Sequence, residues 1–199
     1  MLRTVGCLSL LLFCFNLSGS HIRAGEISAK RISDFTLTYE FTFYGYRDVE
    51  GVEFRNGTFD FGDGSSITGD FEYTKEYISE EIELVTFTLV HTYQAANSYM
   101  VSFKEDFRNA NIINMDDSGN TTFFVESLVV IDPFYGTNSS PILTVPPIDY
   151  AAVGALFIHN AGAFDPDGDS LSYRFTTPKQ ARNSVVNNYR ALNDPQFYD

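Results

Sequence analysis

Cysteine is nearly missing from this chain: Cys7 and Cys14 are the only two, and both fall within residues 1–20. That stretch reads as a secretory signal. Arg3 precedes an apolar run from Val5 to Phe15, and the small-residue stretch Leu17-Ser18-Gly19-Ser20 follows. Cleavage after Ser20 leaves a mature protein without cysteine, which excludes disulfide frameworks, thiolate metal sites and cysteine nucleophiles. For an exported chain this points to a bacterial rather than an animal source. Leu12 and Phe13 ahead of Cys14 lack the small residue that a lipoprotein signal needs. Tryptophan is absent, and the three histidines, His21, His91 and His159, are far apart with no H-x-x-x-H pair, which argues against zinc. Basic residues are few, 13 against 26 acidic ones, for a net charge of −13. Such a surface repels nucleic acid and anionic membranes, and neither is expected as a partner. It suits divalent cations or basic partners, or simply keeps an extracellular protein soluble. No apolar run beyond the signal approaches the roughly 18 residues of a spanning helix, so no membrane span is expected. There is no G-x-S-x-G nucleophile elbow, no Gly-rich phosphate loop and no basic patch.

What the chain does have is alternation. Phe35, Leu37, Tyr39, Phe41 and Phe43 alternate with Thr36, Thr38, Glu40 and Thr42, the period of a half-buried strand, which Tyr44 to Asp48 closes. Further strands are expected over Phe54–Phe61, Val85–His91 and Tyr99–Phe107. Ile67–Leu84 reads as an enlarged hairpin, and Asn109–Asn120 as a polar loop. The continuous apolar run Phe123–Ile131 suits a central strand covered on both faces. Short strands separated by turn signals, with no good helix, indicate an all-β sandwich over residues 21–135. With 19 Phe and 12 Tyr, aromatic rings are expected to fill its core. A Pro- and Ser-rich linker over 136–147 and a second β-module over 148–199 complete the division.

The turn Phe59-Asp60-Phe61-Gly62-Asp63-Gly64-Ser65, answered by His91-Thr92-Tyr93 and Tyr99-Met100-Val101, carries a resemblance. Its glycines permit positive φ, and Asp60, Asp63 and Ser65 can hydrogen-bond the turn's own backbone. The pattern resembles the polycystic-kidney-disease-type (PKD) domain, although Phe59 stands where Trp is usual and Ser98 where Gly is usual. The resemblance implies an immunoglobulin-like β-sandwich serving as a spacer or adhesive module, usually without catalysis. Phe59, Asp60, Asp63, Gly64, His91, Tyr93 and Tyr99 are then its structural motif residues. A second likeness lies in Ser20-His21-Ile22-Arg23-Ala24-Gly25-Glu26-Ile27 and in the strand ending Tyr46-Arg47-Asp48. These resemble the amino-terminal region of gliding-motility-associated surface proteins of Gram-negative bacteria. Val49 stands where that group often has Cys. The likeness implies a non-catalytic, secreted or cell-surface modular protein whose partner is an extracellular protein or polysaccharide. The alternative is an accessory binding module of a secreted polysaccharide hydrolase or peptidase. Finally, Ala163-Phe164-Asp165-Pro166-Asp167-Gly168-Asp169-Ser170-Leu171-Ser172-Tyr173 resembles the signature of bacterial cadherin-like and related immunoglobulin-type repeats. Only the first half of such a module fits before Asp199, so the chain reads as a segment of a longer array.

Two readings stand for Asp165, Asp167 and Asp169. Three carboxylates at two-residue spacing beside Gly168 can gather several of the about six to eight oxygens calcium takes, and calcium is the one cofactor the sequence offers. The other reading is an Asx-turn before a strand over Leu171–Phe175. The loop is no EF-hand, since Ser170 and Thr176 stand where Gly and Glu would be needed. Asp60 and Asp63 carry the same pair of readings, with the structural one favoured. His21 and Glu26 read as part of an exposed amino-terminal strand rather than as metal ligands. The acidic sets Asp48, Glu50, Glu53 and Glu80, Glu81, Glu83 read as a solvated edge rather than a glycosidase pair. Asn56, Asn120 and Asn138 open N-glycosylation sequons that would be idle in a bacterium, and Asp169-Ser170-Leu171 resembles an O-glycosylation site of the gliding group.

Overall fold

The computed structural model describes residues 22–197 apart from 52, 54, 55, 107, 135, 153, 154 and 193. The expected signal segment, His21 and the start of the strand placed at Phe54 lie outside the described residues. Alternating positions build eight strands: β1 (Ile22–Arg31), β2 (Leu37–Asp48), β3 (Gly57–Asp60), β4 (Ser66–Gly69), β5 (Thr74–Tyr77), β6 (Ile82–Tyr93), β7 (Ser98–Glu105) and β8 (Phe123–Val130). They pair antiparallel in two four-stranded sheets, ordered β1-β2-β6-β5 and β4-β3-β7-β8. Lettered along the chain, these are the ABED and C′CFG sheets of an immunoglobulin-type sandwich. The protein is an all-β sandwich, as the alternation predicts.

The register explains the core. β2 and β6 pair Phe41 with Leu89 and Phe43 with Phe87, which turns their odd-numbered side chains inward. Thr38 and Thr92, paired on the outer face, share a hydroxyl hydrogen bond of 2.8 Å. Across the sandwich Phe41 meets Phe59 at 5.7 Å between ring centroids, and Phe43 meets Phe103 at 4.3 Å. All four rings are fully buried, each worth roughly 1.5–3 kcal/mol relative to an exposed position.

Three expectations are corrected. Ile67–Leu84 is not one hairpin: β4 pairs with β3 in one sheet and β5 with β6 in the other. Between them Phe71 stacks on Phe87 at 4.5 Å, so the apolar residues of this stretch close the side of the core while the chain changes sheets. Phe123–Ile131 is not a central strand, because β8 lies at a sheet edge and leaves Leu128 55% and Val130 48% exposed. Phe123, Val129 and Ile131 face the core; a run apolar on both phases hides which face is the buried one. The strand expected over Leu171–Phe175 is not formed, and Phe175 is 90% exposed. A strand needs a partner for its backbone groups, and among the described residues no strand pairs with this segment.

Residues 136–197 instead carry two short antiparallel pairs, β9 (Ile142–Leu143) with β10 (Ala163–Phe164) and β11 (Lys179–Ala181) with β12 (Ser184–Val185). The linker residues do not stand clear of the sandwich. Ser140 donates its N–H to Ala29 O at 2.9 Å, and Ala29 N–H returns a bond to Ser140 Oγ at 3.0 Å, which ties the linker to the outer edge of β1.

Candidate functional site

The signature residues come together at one end of the sandwich. Where β3 runs out, Phe61 N–H bonds Ser65 O at 3.1 Å and closes the turn. Asp60 Oδ1 accepts Gly62 N–H at 2.7 Å, and Asp63 Oδ1 accepts both Ser65 N–H at 3.0 Å and Ser65 Oγ at 2.6 Å. Gly62 has φ +83°, and a Cβ there would stand 2.7 Å from Met100 O, so β7 packs directly on the turn. Gly64, at φ +96°, holds the open tip. The second Asp63 oxygen lies 2.8 Å from His91 Nε2. His91 stacks on Phe61 at 4.3 Å and meets Tyr93 edge-on, and Tyr93 stacks on Tyr99 at 4.0 Å. Tyr93 Oη donates to Phe61 O and Tyr99 Oη to Ala95 O, both at 2.8 Å. Phe59 lies buried beneath them.

The electrostatics follow from these bonds. Desolvation works to raise the Asp63 carboxyl, but hydrogen bonds from Ser65 and His91, together with the His91 charge, outweigh it and bring its pKa down to about 2. Burial, and then the negative Asp63 nearby, push the Tyr93 phenol up. In this cluster Asp63 sits between Ser65 and His91. A nucleophile needs the imidazole between serine and carboxylate, so the arrangement braces a turn and does not activate Ser65. Beside it Gly62, Asp63, Gln94, Asn97, Ser98 and Tyr99 line a shallow depression of about 380 Å³.

The second candidate loop is built differently. Asp165, 8% exposed, turns inward, and its Oδ1 accepts the N–H groups of Asp167 at 2.9 Å and Asp169 at 3.2 Å. Gly168 takes φ +84°, and Asp167 Oδ2 reaches back to Ser139 N–H at 2.6 Å. The loop is thus an Asx-type turn fastened to the linker. Among the described residues no group of three or more His, Cys, Asp or Glu is placed to hold a metal ion.

The acidic sets are only partly a solvated edge. Glu83 is buried, and its Oε1 lies 2.5 Å from Nε of the equally buried Arg47, its cross-strand neighbour. Asp48 binds Arg23 at 2.5 Å, and Glu53 pairs with Lys75. Glu50, Glu80 and Glu81 do line an open depression with Arg23. Glu26 lies within β1, its carboxyl pushed up by burial and partly held back by the Leu143 backbone. Arg47–Glu83 could not be read from the sequence, since the partners are 36 positions apart and meet only through the β2–β6 register.

No family model matches the chain, and no curated protein or solved structure matches it either. Among the described residues no helix is long and apolar enough to cross a membrane.

Proposed function

We propose that this is a non-catalytic, secreted or cell-surface modular protein, with a PKD-like sandwich acting as a spacer or adhesive unit of the kind found in gliding-motility-associated proteins. The observation that carries the reading is the closed signature cluster. Asp60, Asp63, His91 and Tyr93 direct their polar groups at the turn and at one another, and Tyr99 donates to Ala95 O in the loop before β7. The signal-like amino terminus supports export, and the Tyr46-Arg47-Asp48 of the surface-protein likeness stands at the end of β2. The test is protease shaving of intact cells of the source organism, with sequencing of the mature amino terminus. A surface-accessible chain beginning near His21 is expected; an unprocessed chain confined to the cytoplasm would end the proposal.

A second reading, an accessory module that holds a polysaccharide, draws on the depression beside the turn. Gln94, Asn97 and Ser98 there offer amide and hydroxyl groups of the kind that bind sugar hydroxyls. Binding on a panel of soluble polysaccharides, weakened by Gln94→Ala with Asn97→Ala, would favour it over the spacer role.

A further inference from the structure

Residues 178–190, Pro-Lys-Gln-Ala-Arg-Asn-Ser-Val-Val-Asn-Asn-Tyr-Arg, contain Lys179, Arg182 and Arg190 and no acid, in a chain with twice as many acids as bases. In the fold this segment lies against the sandwich, and each cation meets an anion of it. β3, β7 and β8 set Asp60, Ser102 and Glu126 in one cross-strand row, Asp60 opposite Ser102 and Ser102 opposite Glu126. Arg182 stands 3.3 Å from Asp60 at one end of the row, and Lys179 pairs with Glu126 at the other. Ser102 between them is only 5% exposed, although its strand phase is opposite to that of the core residues Val101 and Phe103. Arg182 also donates to Met100 O at 2.8 Å, and Arg108 donates to Lys179 O. Farther along, Arg190 Nη1 and Asn188 Nδ2 take the two oxygens of Asp116 at 2.9 and 2.8 Å. Arg190 Nη2 and N–H reach the Ile113 and Asn114 carbonyls at 2.5 and 2.8 Å. Val186, 3% exposed, is the segment's one buried apolar side chain.

We propose that Lys179–Arg190 is an electrostatic strap, a basic segment that fastens the chain beyond the linker onto the acidic sandwich and lets go when salt screens the pairs. The three ion pairs are partly solvent-facing, with Arg182 and Asp60 about 40% exposed at their side chains (39% and 41%), which is the setting in which ionic strength matters. Release frees the segment from β7, from β8 and from the loop at Ile113–Asp116. The linker bonds at Ala29 and Ser140 carry no charge and hold through it, so the strap opens as a flap hinged at the β1 edge. Because Arg182 shares Asp60 with the Gly62 turn, the signature cluster feels whether the strap is closed. The strap follows from the charges and holds whatever the protein's location or partner.

The experiment is hydrogen exchange of the whole chain at about 0.05 M and about 0.5 M NaCl, read at the amide of Arg190, which bonds Asn114 O across the contact. Screening of three such pairs is expected to speed exchange there by about tenfold while β6 stays protected. The K179Q/R182Q/R190Q variant is expected to exchange fast at both salt levels. Exchange in the parent that is unchanged or slowed by salt would overturn the proposal, since an apolar hold through Val186 behaves that way. Protection that survives in the triple variant would overturn it as well.

Discussion

Replacing Glu83 by Leu is expected to cost the sandwich ~3–5 kcal/mol, because it removes the carboxylate that faces the buried Arg47 guanidinium. The two side chains are 2% and 3% exposed, and the Arg47 Nε to Glu83 Oε1 distance is 2.5 Å. Two unit charges about 4 Å apart attract by ~4 kcal/mol at an effective dielectric of ~20, of the same order as that loss. Gly51 O, 3.2 Å from Arg47 Nη2, accepts a hydrogen bond from the guanidinium as well. The pair itself is a poor source of net stability, since both ions left water to form it. Arg47→Met with Glu83→Leu together should therefore fall within ~1 kcal/mol of the parent. Urea unfolding of the parent, both single variants and the double variant checks this. With a slope near ~2 kcal/mol per molar, Glu83→Leu lowers the midpoint by about 2 M and the double variant recovers most of it. Single variants that each cost under ~1 kcal/mol, or a double variant that costs the sum of the two, would refute the reasoning.

Three further outcomes are expected. Gly62→Ala should destabilise by ~3 kcal/mol or more, since its Cβ meets the Met100 backbone at 2.7 Å, whereas Gly64→Ala at φ +96° meets nothing and should cost only ~1–2 kcal/mol of left-handed strain; equal thermal shifts would contradict the packing of β7 on the turn. Asp63 has a folded pKa of about 2, below its unfolded value of ~3.9, so its contribution is complete above about pH 4 and is lost as pH falls toward 2. The melting temperatures of parent and Asp63→Asn should accordingly differ by a constant amount above pH 4 and converge below it; parallel curves throughout would show that the carboxylate is not held as described. Asp165→Asn keeps the acceptor for the Asp167 and Asp169 amides and should preserve their exchange protection, while Asp165→Ala should lose about fivefold, the equivalent of ~1 kcal/mol. Protection in the parent that rises with millimolar calcium and fails to do so in Asp165→Asn would make the loop an ion site.

The parts of the fold that could be read in advance are those with one apolar phase. Tyr39, Phe41 and Phe43 declare the inner face of β2, and Tyr99, Val101 and Phe103 that of β7, because period-two alternation is a direct image of the pleat. The turn from Asp60 to Ser65 was equally legible, since Gly and Asp at those positions act on their own neighbours. β8 was not, because Phe123 to Ile131 is apolar on both phases and its edge position depends on which strands lie beside it. The sheet change between β4 and β5 turns on where Phe71 and Tyr73 find the core, which no local pattern records. In the loop after the linker, the residues of an Asx-turn and of a calcium loop are the same, so the sequence carried both readings. The strap left a trace in charge rather than in periodicity: Lys179, Arg182 and Arg190 without an acid between them.

The edges of the two sheets are guarded unequally. On one side the edges are β1 and β8: Ile22 bridges to Arg108, Ser140 occupies backbone groups of Ala29, and Lys179 pairs with Glu126 of β8. On the other side the edges are β4 and β5, four residues each, reading Ser-Ile-Thr-Gly and Thr-Lys-Glu-Tyr. Neither is long or greasy enough to template a neighbour's strand, and Lys75 and Glu76 penalise a copy stacked alongside in register. In any polypeptide that strings such sandwiches together, adjacent units face each other at millimolar effective concentration. Under that crowding, borders as short as β4 and β5 give a neighbouring unit little strand to trade along that side, and the cost of misassembly there is kept out of the folding of each one.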